Sequence, residues 1–128
     1  MKVAVIGSRN ISVIDLEKYI FGADEIVSGG AVGVDACAEK YAKEKEIKLT
    51  VFLPQYKRYG RAAPIMRNKQ IVDYADKVFA FWDGCSKGTL SVINYAKKVG
   101  KVCEVVICNQ KMEKQVNNPL DIDKSLKT

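Results

Sequence analysis

Five short apolar runs, separated by segments with helical periodicity, constrain this chain more than any other feature. KVAVIG (2–7), EIVS (25–28), IKLTVFL (47–53), KVFAFW (77–82) and VCEVVI (102–107) all have strand length. They are apolar nearly throughout, as strands buried on both faces are. Between them lie helical patterns. Ser12 with Asp15 resembles a capping box, and Val13, Leu16 and Ile20 make one face. Val34, Ala38, Tyr41 and Ala42 form the stripe of a second helix, and Pro64 suits the first position of a third. Leu90, Ile93 and Ala96 line a fourth, which Gly100 closes. This alternation predicts an α/β chain: a single Rossmann-like doubly wound domain with a five-stranded, mainly parallel sheet and helices on both faces. Right-handed crossovers give the strand order 3-2-1-4-5. The domain is expected over residues 1–108. A polar extension, 109–128, is either a short docking segment or disordered.

Composition narrows the function classes. The chain has 128 residues, 48% hydrophobic and 28% charged, enough for one core without disulfide or metal staples. No apolar run approaches the roughly 20 residues of a membrane span. The start, MKVAVIGS, reads as a strand and a turn rather than a cleavable signal. A cytoplasmic protein with no membrane partner is expected. Four cysteines (Cys37, Cys85, Cys103, Cys108) form no CxxC pair and histidine is absent, so no metal site is expected and Cys-His nucleophile chemistry lacks its base. The cysteines read as reduced thiols. A net charge of +6 favours anionic partners such as nucleotides or nucleic acid. Part of the lysine content, however, sits at i,i+4 spacing to glutamate (Glu39/Lys43, Glu44/Lys48), which supports a helix rather than a binding patch.

In a doubly wound sheet, ligands bind beyond the carboxyl ends of the strands, where the strand order reverses. The unusual residues of this chain follow those ends: GSRN (7–10), SGGAVGVD (28–35), PQYKRYGRAAPIMRN (54–68) and DGCSKGT (83–89). Glycines admit a ligand close to the backbone, and the helix that follows offers free N–H groups and a positive dipole end. For one loop alone, a tight strand-to-helix turn explains Gly29, Gly30 and Gly33 equally well. Two such loops beside GSR favour a bound phosphate. No segment supplies the P-loop pattern GxxxxGK[ST]. Residues 28–33 read SxGxxG, with Ser28 in place of the first glycine of the dinucleotide fingerprint. The acid expected about 20 residues later is replaced by Leu53-Pro54-Gln55, so NAD-dependent dehydrogenase chemistry is disfavoured.

Individual side chains keep two readings each. Arg9 either clamps a phosphate or salt-bridges Asp83. Asn68 interrupts an inward stripe of Ile65, Ile71, Val72 and Ala75, and must hydrogen-bond a ligand or pin the 54–63 loop. Asp35 either supports its own helix or accepts from a ribose hydroxyl. Ser86, Lys87 and Thr89 suit phosphate contacts at a helix start, while Trp82 and Tyr59 either stack a base or, for Trp82, belong to the core.

The ordered motifs GSR, VSGGAVGVDACAEKYA, GRAAPIMRN and FWDGCSKGT, spread over residues 3–107, resemble the SLOG superfamily, most closely its stand-alone YspA-type members. The resemblance implies a Rossmann-like fold and binding of nucleotides or nucleotide-derived ligands, ADP-ribose-like ones included. It implies binding roles for Gly7, Ser8, Arg9, Gly29, Gly30, Gly33, Asp35, Arg67, Asn68, Ser86, Lys87, Gly88 and Thr89; Ser28 and Asp83 join them by position. Three related families suggest different activities. LOG enzymes hydrolyse nucleoside monophosphates through an acid in PGGxGTxxE, but Ser91, Val92 and Ile93 stand here where the acid falls. For N-glycosidic hydrolysis the remaining catalytic candidates are Asp35, Asp83 and Arg67. Molybdenum cofactor carriers have a similar SGGxxGVD loop, and the DNA-processing protein A family, which binds single-stranded DNA, shares the GSR-like turn, an SGxAxGxD loop and the RN pair. The expected partner is a small phosphorylated nucleotide ligand, with single-stranded nucleic acid as the alternative. A homo-oligomer, dimer or higher, is expected from the relatives.

Overall fold

In the computed structural model, residues 1–12 and 15–108 are described in full, together with the backbone of 113–116. The chain runs β1 (Lys2–Gly7), α1 (Glu17–Ile20), β2 (Glu25–Ser28), α2 (Val34–Glu44), β3 (Lys48–Val51), α3 (Tyr56–Tyr59), a 3₁₀ turn (Gly60–Ala62), α4 (Ala63–Tyr74), β4 (Lys77–Trp82), α5 (Lys87–Lys98), β5 (Val102–Cys108) and β6 (Glu113–Val116). The sheet order is β3-β2-β1-β4-β5-β6. The first five strands are parallel, and β6 pairs antiparallel with β5. This is the α/β, Rossmann-like architecture expected from the alternation of strands and helices.

The two-residue period of the strands sorts their apolar side chains onto two cores. Ala4 and Ile6 of β1, with Val78, Ala80 and Trp82 of β4, meet Ile71 and Val72 of α4 and Val92, Ile93 and Ala96 of α5. Val3 and Val5, with Phe79 and Phe81, meet Leu16, Ile20, Val34, Ala38 and Ala42 on the other face. Burial on both faces explains why β1 and β4 read as unbroken apolar runs. The crossovers on either side of β1 and β4 use opposite faces, so the helices diverge there and leave a crevice at the carboxyl ends.

Several elements differ from expectation. The first helix is one turn, beginning after Leu16. Asp15 does bond a helical N–H, that of Lys18 at 3.4 Å; Val13 lies outside the described residues. β3 stops at Val51, because as an edge strand it has one neighbour and is half-exposed. The 54–63 stretch is not a plain loop but holds α3 and the 3₁₀ turn, and Pro64 is the second residue of α4. The extension contains β6, which its polar sequence EKQV did not suggest; the rest of 109–128 lies outside the described residues. Gly100 closes α5 as expected, with φ +75° and a Lys101 N–H to Ala96 carbonyl bond of 2.9 Å.

At the opposite end of the sheet Glu25 is buried, and its carboxylate accepts from Tyr74 (2.5 Å) and Thr50 (2.7 Å) with Lys48 at 3.5 Å. The Tyr74 and Thr50 bonds hold its carboxyl below the usual range, although burial pushes the other way. This network fastens α4 and the edge strand to β2. All four cysteines are free thiols, and burial pushes Cys103 up to about 12. Among the described residues no helix is long and apolar enough to cross a membrane.

Candidate functional site

The crevice is open to solvent and has a volume of about 270 Å³, just below the usual range for a small-molecule site. Ile6 and Gly7 of β1 and Val92 of α5 supply its apolar part. Ala31 and Asp35 come from the β2–α2 loop and helix, Arg67 and Asn68 from α4, Ser86, Gly88 and Thr89 from the start of α5, and Arg9 from the loop after β1. Four segments far apart in sequence thus meet at one point, the place the strand order dictates.

Close approach explains most of the glycines. Gly33 has φ +77° and ψ −125°, and a Cβ there would stand 2.5 Å from the Arg9 carbonyl oxygen. The loop after β2 can lie on the loop after β1 only without a side chain at that position. A Cβ on Gly7 would meet the Phe81 carbonyl oxygen at 2.6 Å, and one on Gly29 would sit 2.9 Å from both Arg67 and Asp35. Gly88 is different. Its φ is not positive, and nothing outside its own helix lies within 4 Å of where its Cβ would be.

Arg67 organises the glycine loop from α4. Its Nη1 donates to the Gly29 carbonyl at 2.6 Å, and its Nε donates to Asn68 Oδ1 at 2.8 Å. The partner of Asn68 is therefore its helical neighbour, and the segment pinned is 28–30 rather than 54–63. Ile65 is 49% exposed and does not belong to the inward stripe assumed around Asn68.

Asp35, second residue of α2, is 5% exposed. Its Oδ2 accepts the Ala31 N–H at 3.3 Å, folding the loop back onto the helix. The N-cap, Gly33, receives no side-chain bond. Burial raises the Asp35 carboxyl above its usual range; the Ala31 N–H, the Arg67 charge and the Gly29 N–H offset that only in part, and Glu39 adds to the rise.

Asp83 is not among the residues that line the crevice, and its carboxylate caps a turn. Its Oδ1 accepts from the N–H groups of Cys85 (2.8 Å) and Ser86 (2.7 Å), shaping the turn into α5. Burial pushes its carboxyl up, but these bonds and Ser8 outweigh burial and hold it below the ordinary value. Arg9 and Asp83 form no salt bridge, and Arg9 is exposed at the crevice without a carboxylate partner among the described residues.

The remaining candidates divide. Ser86 is the N-cap of α5; it accepts from the Thr89 N–H at 3.4 Å and its hydroxyl lies 3.3 Å from that of Thr89, so the cap fixes both side chains at the helix start. Lys87 is exposed and does not line the crevice. Ser8 is buried, its hydroxyl accepting the Asp83 N–H at 3.3 Å. Ser28, fully buried, donates to Glu39 and accepts from the Gly30 N–H, both at 3.2 Å. Gly30 packs beneath Leu53. Trp82 is 7% exposed and its indole donates to the Ser86 carbonyl at 2.9 Å, which makes it core and not a stacking platform. Sequence reasoning missed Ile6, Ala31 and Val92. Ile6 and Val92 read as plain core positions, and Ala31 has no functional group to draw attention.

No protein-family model matches the chain, and no curated protein matches it.

Proposed function

We propose that this protein binds a phosphorylated nucleotide or nucleotide-derived ligand, ADP-ribose-like ligands included, in the crevice at the carboxyl ends of β1, β2 and β4. The phosphate rests on the first N–H groups of α5, where the dipole and the free donors favour an anion. Arg9 neutralises it, and the apolar surface of Ile6 and Val92 takes the flat part of the ligand. Asp35 and Asn68 supply polar contacts that orient the ribose or base.

The observation that carries this reading is Gly88. A glycine inside a helix costs roughly 0.5–1 kcal/mol relative to alanine, and here neither backbone conformation nor packing requires one. An approaching ligand does. Gly88→Ala is expected to leave the unliganded protein as stable or up to about 0.5 kcal/mol more stable, and to weaken ligand binding at least tenfold. The test is a thermal-shift series with nucleoside mono- and diphosphates, ADP-ribose, NAD and a pterin phosphate. A ligand at 100 times its Kd adds about 2.7 kcal/mol to the parent. No shift with any of them, or equal shifts in parent and variant, refutes the reading.

A second reading, hydrolysis of the N-glycosidic bond in such a ligand, is favoured by one feature. Asp35 is the only carboxylate among the described lining residues, and burial raises its carboxyl above the usual value, the direction that a general acid needs. Incubating whichever ligand binds and assaying for free base, in parent and Asp35→Asn, separates a carrier from a hydrolase.

A further inference from the structure

Charge is not spread evenly along this chain. Between residues 47 and 72 stand Lys48, Lys57, Arg58, Arg61, Arg67 and Lys69, without one aspartate or glutamate. That stretch alone matches the net +6 of the whole chain and leaves the rest balanced. Most of it folds into one feature, α3, the 3₁₀ turn and the first turns of α4. Lys48 is engaged by Glu25 and Arg67 by the Gly29 carbonyl. Lys57, Arg58, Arg61 and Lys69 are exposed and have no carboxylate partner among the described residues.

Flat and apolar surface is interleaved with these cations. Tyr56 is 61% exposed, Tyr59 is half-buried with the Arg58 guanidinium 5.3 Å from its ring centre, and Leu53 and Ile65 are exposed alongside. The segment also leaves and rejoins the crevice wall. It starts at Leu53, packed over Gly30 beside the lining residue Ala31, and ends in α4, whose Arg67 lines the crevice about 6 Å along the axis from Ala63.

We propose that α3 and the start of α4 form a platform for single-stranded nucleic acid. Lys57, Arg58 and Arg61 contact successive phosphates, a base stacks on Tyr56, and the terminal phosphorylated nucleotide enters the crevice. Seating that nucleotide rests on the phosphate-binding reading above; the platform does not. Alternating cations and aromatic faces are what a strand requires, since every base has a face to stack and every linkage a charge. An anionic lipid surface would use the same charges and Leu53, but it leaves the adjoining crevice without a role.

The test is fluorescence anisotropy with 5′-phosphorylated single strands of one to about twelve nucleotides, spanning common site sizes, at about 50 and about 200 mM salt. Affinity is expected to rise with length to a plateau. The slope of log K against log salt for long strands is expected to be about −2, from three contacts at about 0.7 each. Combined Lys57→Ala, Arg58→Ala and Arg61→Ala should return long strands to mononucleotide affinity with an unchanged melting temperature, because all three side chains are exposed. Affinity independent of length, or a triple variant that binds like the parent, overturns the platform. So does sedimentation with phosphatidylserine vesicles in place of strand binding. Strand binding that the triple variant loses, with no mononucleotide response at all, keeps the platform and removes the crevice reading instead.

Discussion

Asp35, after β2, and Asp83, after β4, are two aspartates at the carboxyl edge of the sheet whose surroundings push them in opposite directions. Asp35 is held above its usual range, chiefly by burial, so the folded state binds its proton more tightly than the unfolded chain does. The stability it confers is complete below the ordinary aspartate value near 4 and is lost as pH rises through the folded value. Above the folded value, its ionised form is a burden on the fold. Asp35→Asn, which can still accept the Ala31 N–H, is therefore expected to raise stability at pH 7, with the gain vanishing below about pH 4. Urea unfolding of both proteins at the two pH values measures the difference, and a gain that persists in acid argues against the burial origin. Asp83 has the opposite sign: held below its ordinary value, it contributes above that value and loses its contribution as pH falls through the lowered one.

At the scale of elements, the two glycine-bearing loops have different reasons for their glycines. Gly33 is demanded by the protein, since a methyl group there meets the Arg9 backbone and the φ of +77° strains any side chain. Gly33→Ala is expected to cost about 2 kcal/mol or more, read by chemical denaturation, whereas Gly88→Ala is expected to cost nothing. If the two substitutions prove equally harmful, the distinction between packing and ligand glycines fails. The five parallel strands were legible in sequence as apolar runs, most clearly β1 and β4, which are buried on both faces, whereas the polar β6 was not; the location of the site followed from where those runs end. Less legible were α1, whose apolar pattern spans more chain than the helix uses, and α3, hidden in a polar stretch. The hold of Arg67 on Gly29 joins residues 38 apart, and no local pattern encodes it. Sequence could also not tell which of the glycines already have a neighbour in the fold, because that depends on how the loops lie on one another.

Across the whole molecule, stability is graded from the centre of the sheet outward. β1 and β4 lie between neighbours on both sides and are buried on both faces, while β3 is a half-exposed edge and α1 is one turn long. Amide hydrogen exchange is expected to be slowest at Val5, Ala80 and Phe81 and fastest in α1 and β3, the central strands opening only with global unfolding. Uniform protection across the sheet contradicts this gradient. Trp82 ends the central strand β4, and its indole holds the carbonyl of the residue that caps α5. As the chain has a single tryptophan, its ultraviolet emission is an optical gauge built into the junction between the central strand and the helix start: a guest that shifts the first turn of α5 changes the colour or intensity of that light, with no label attached.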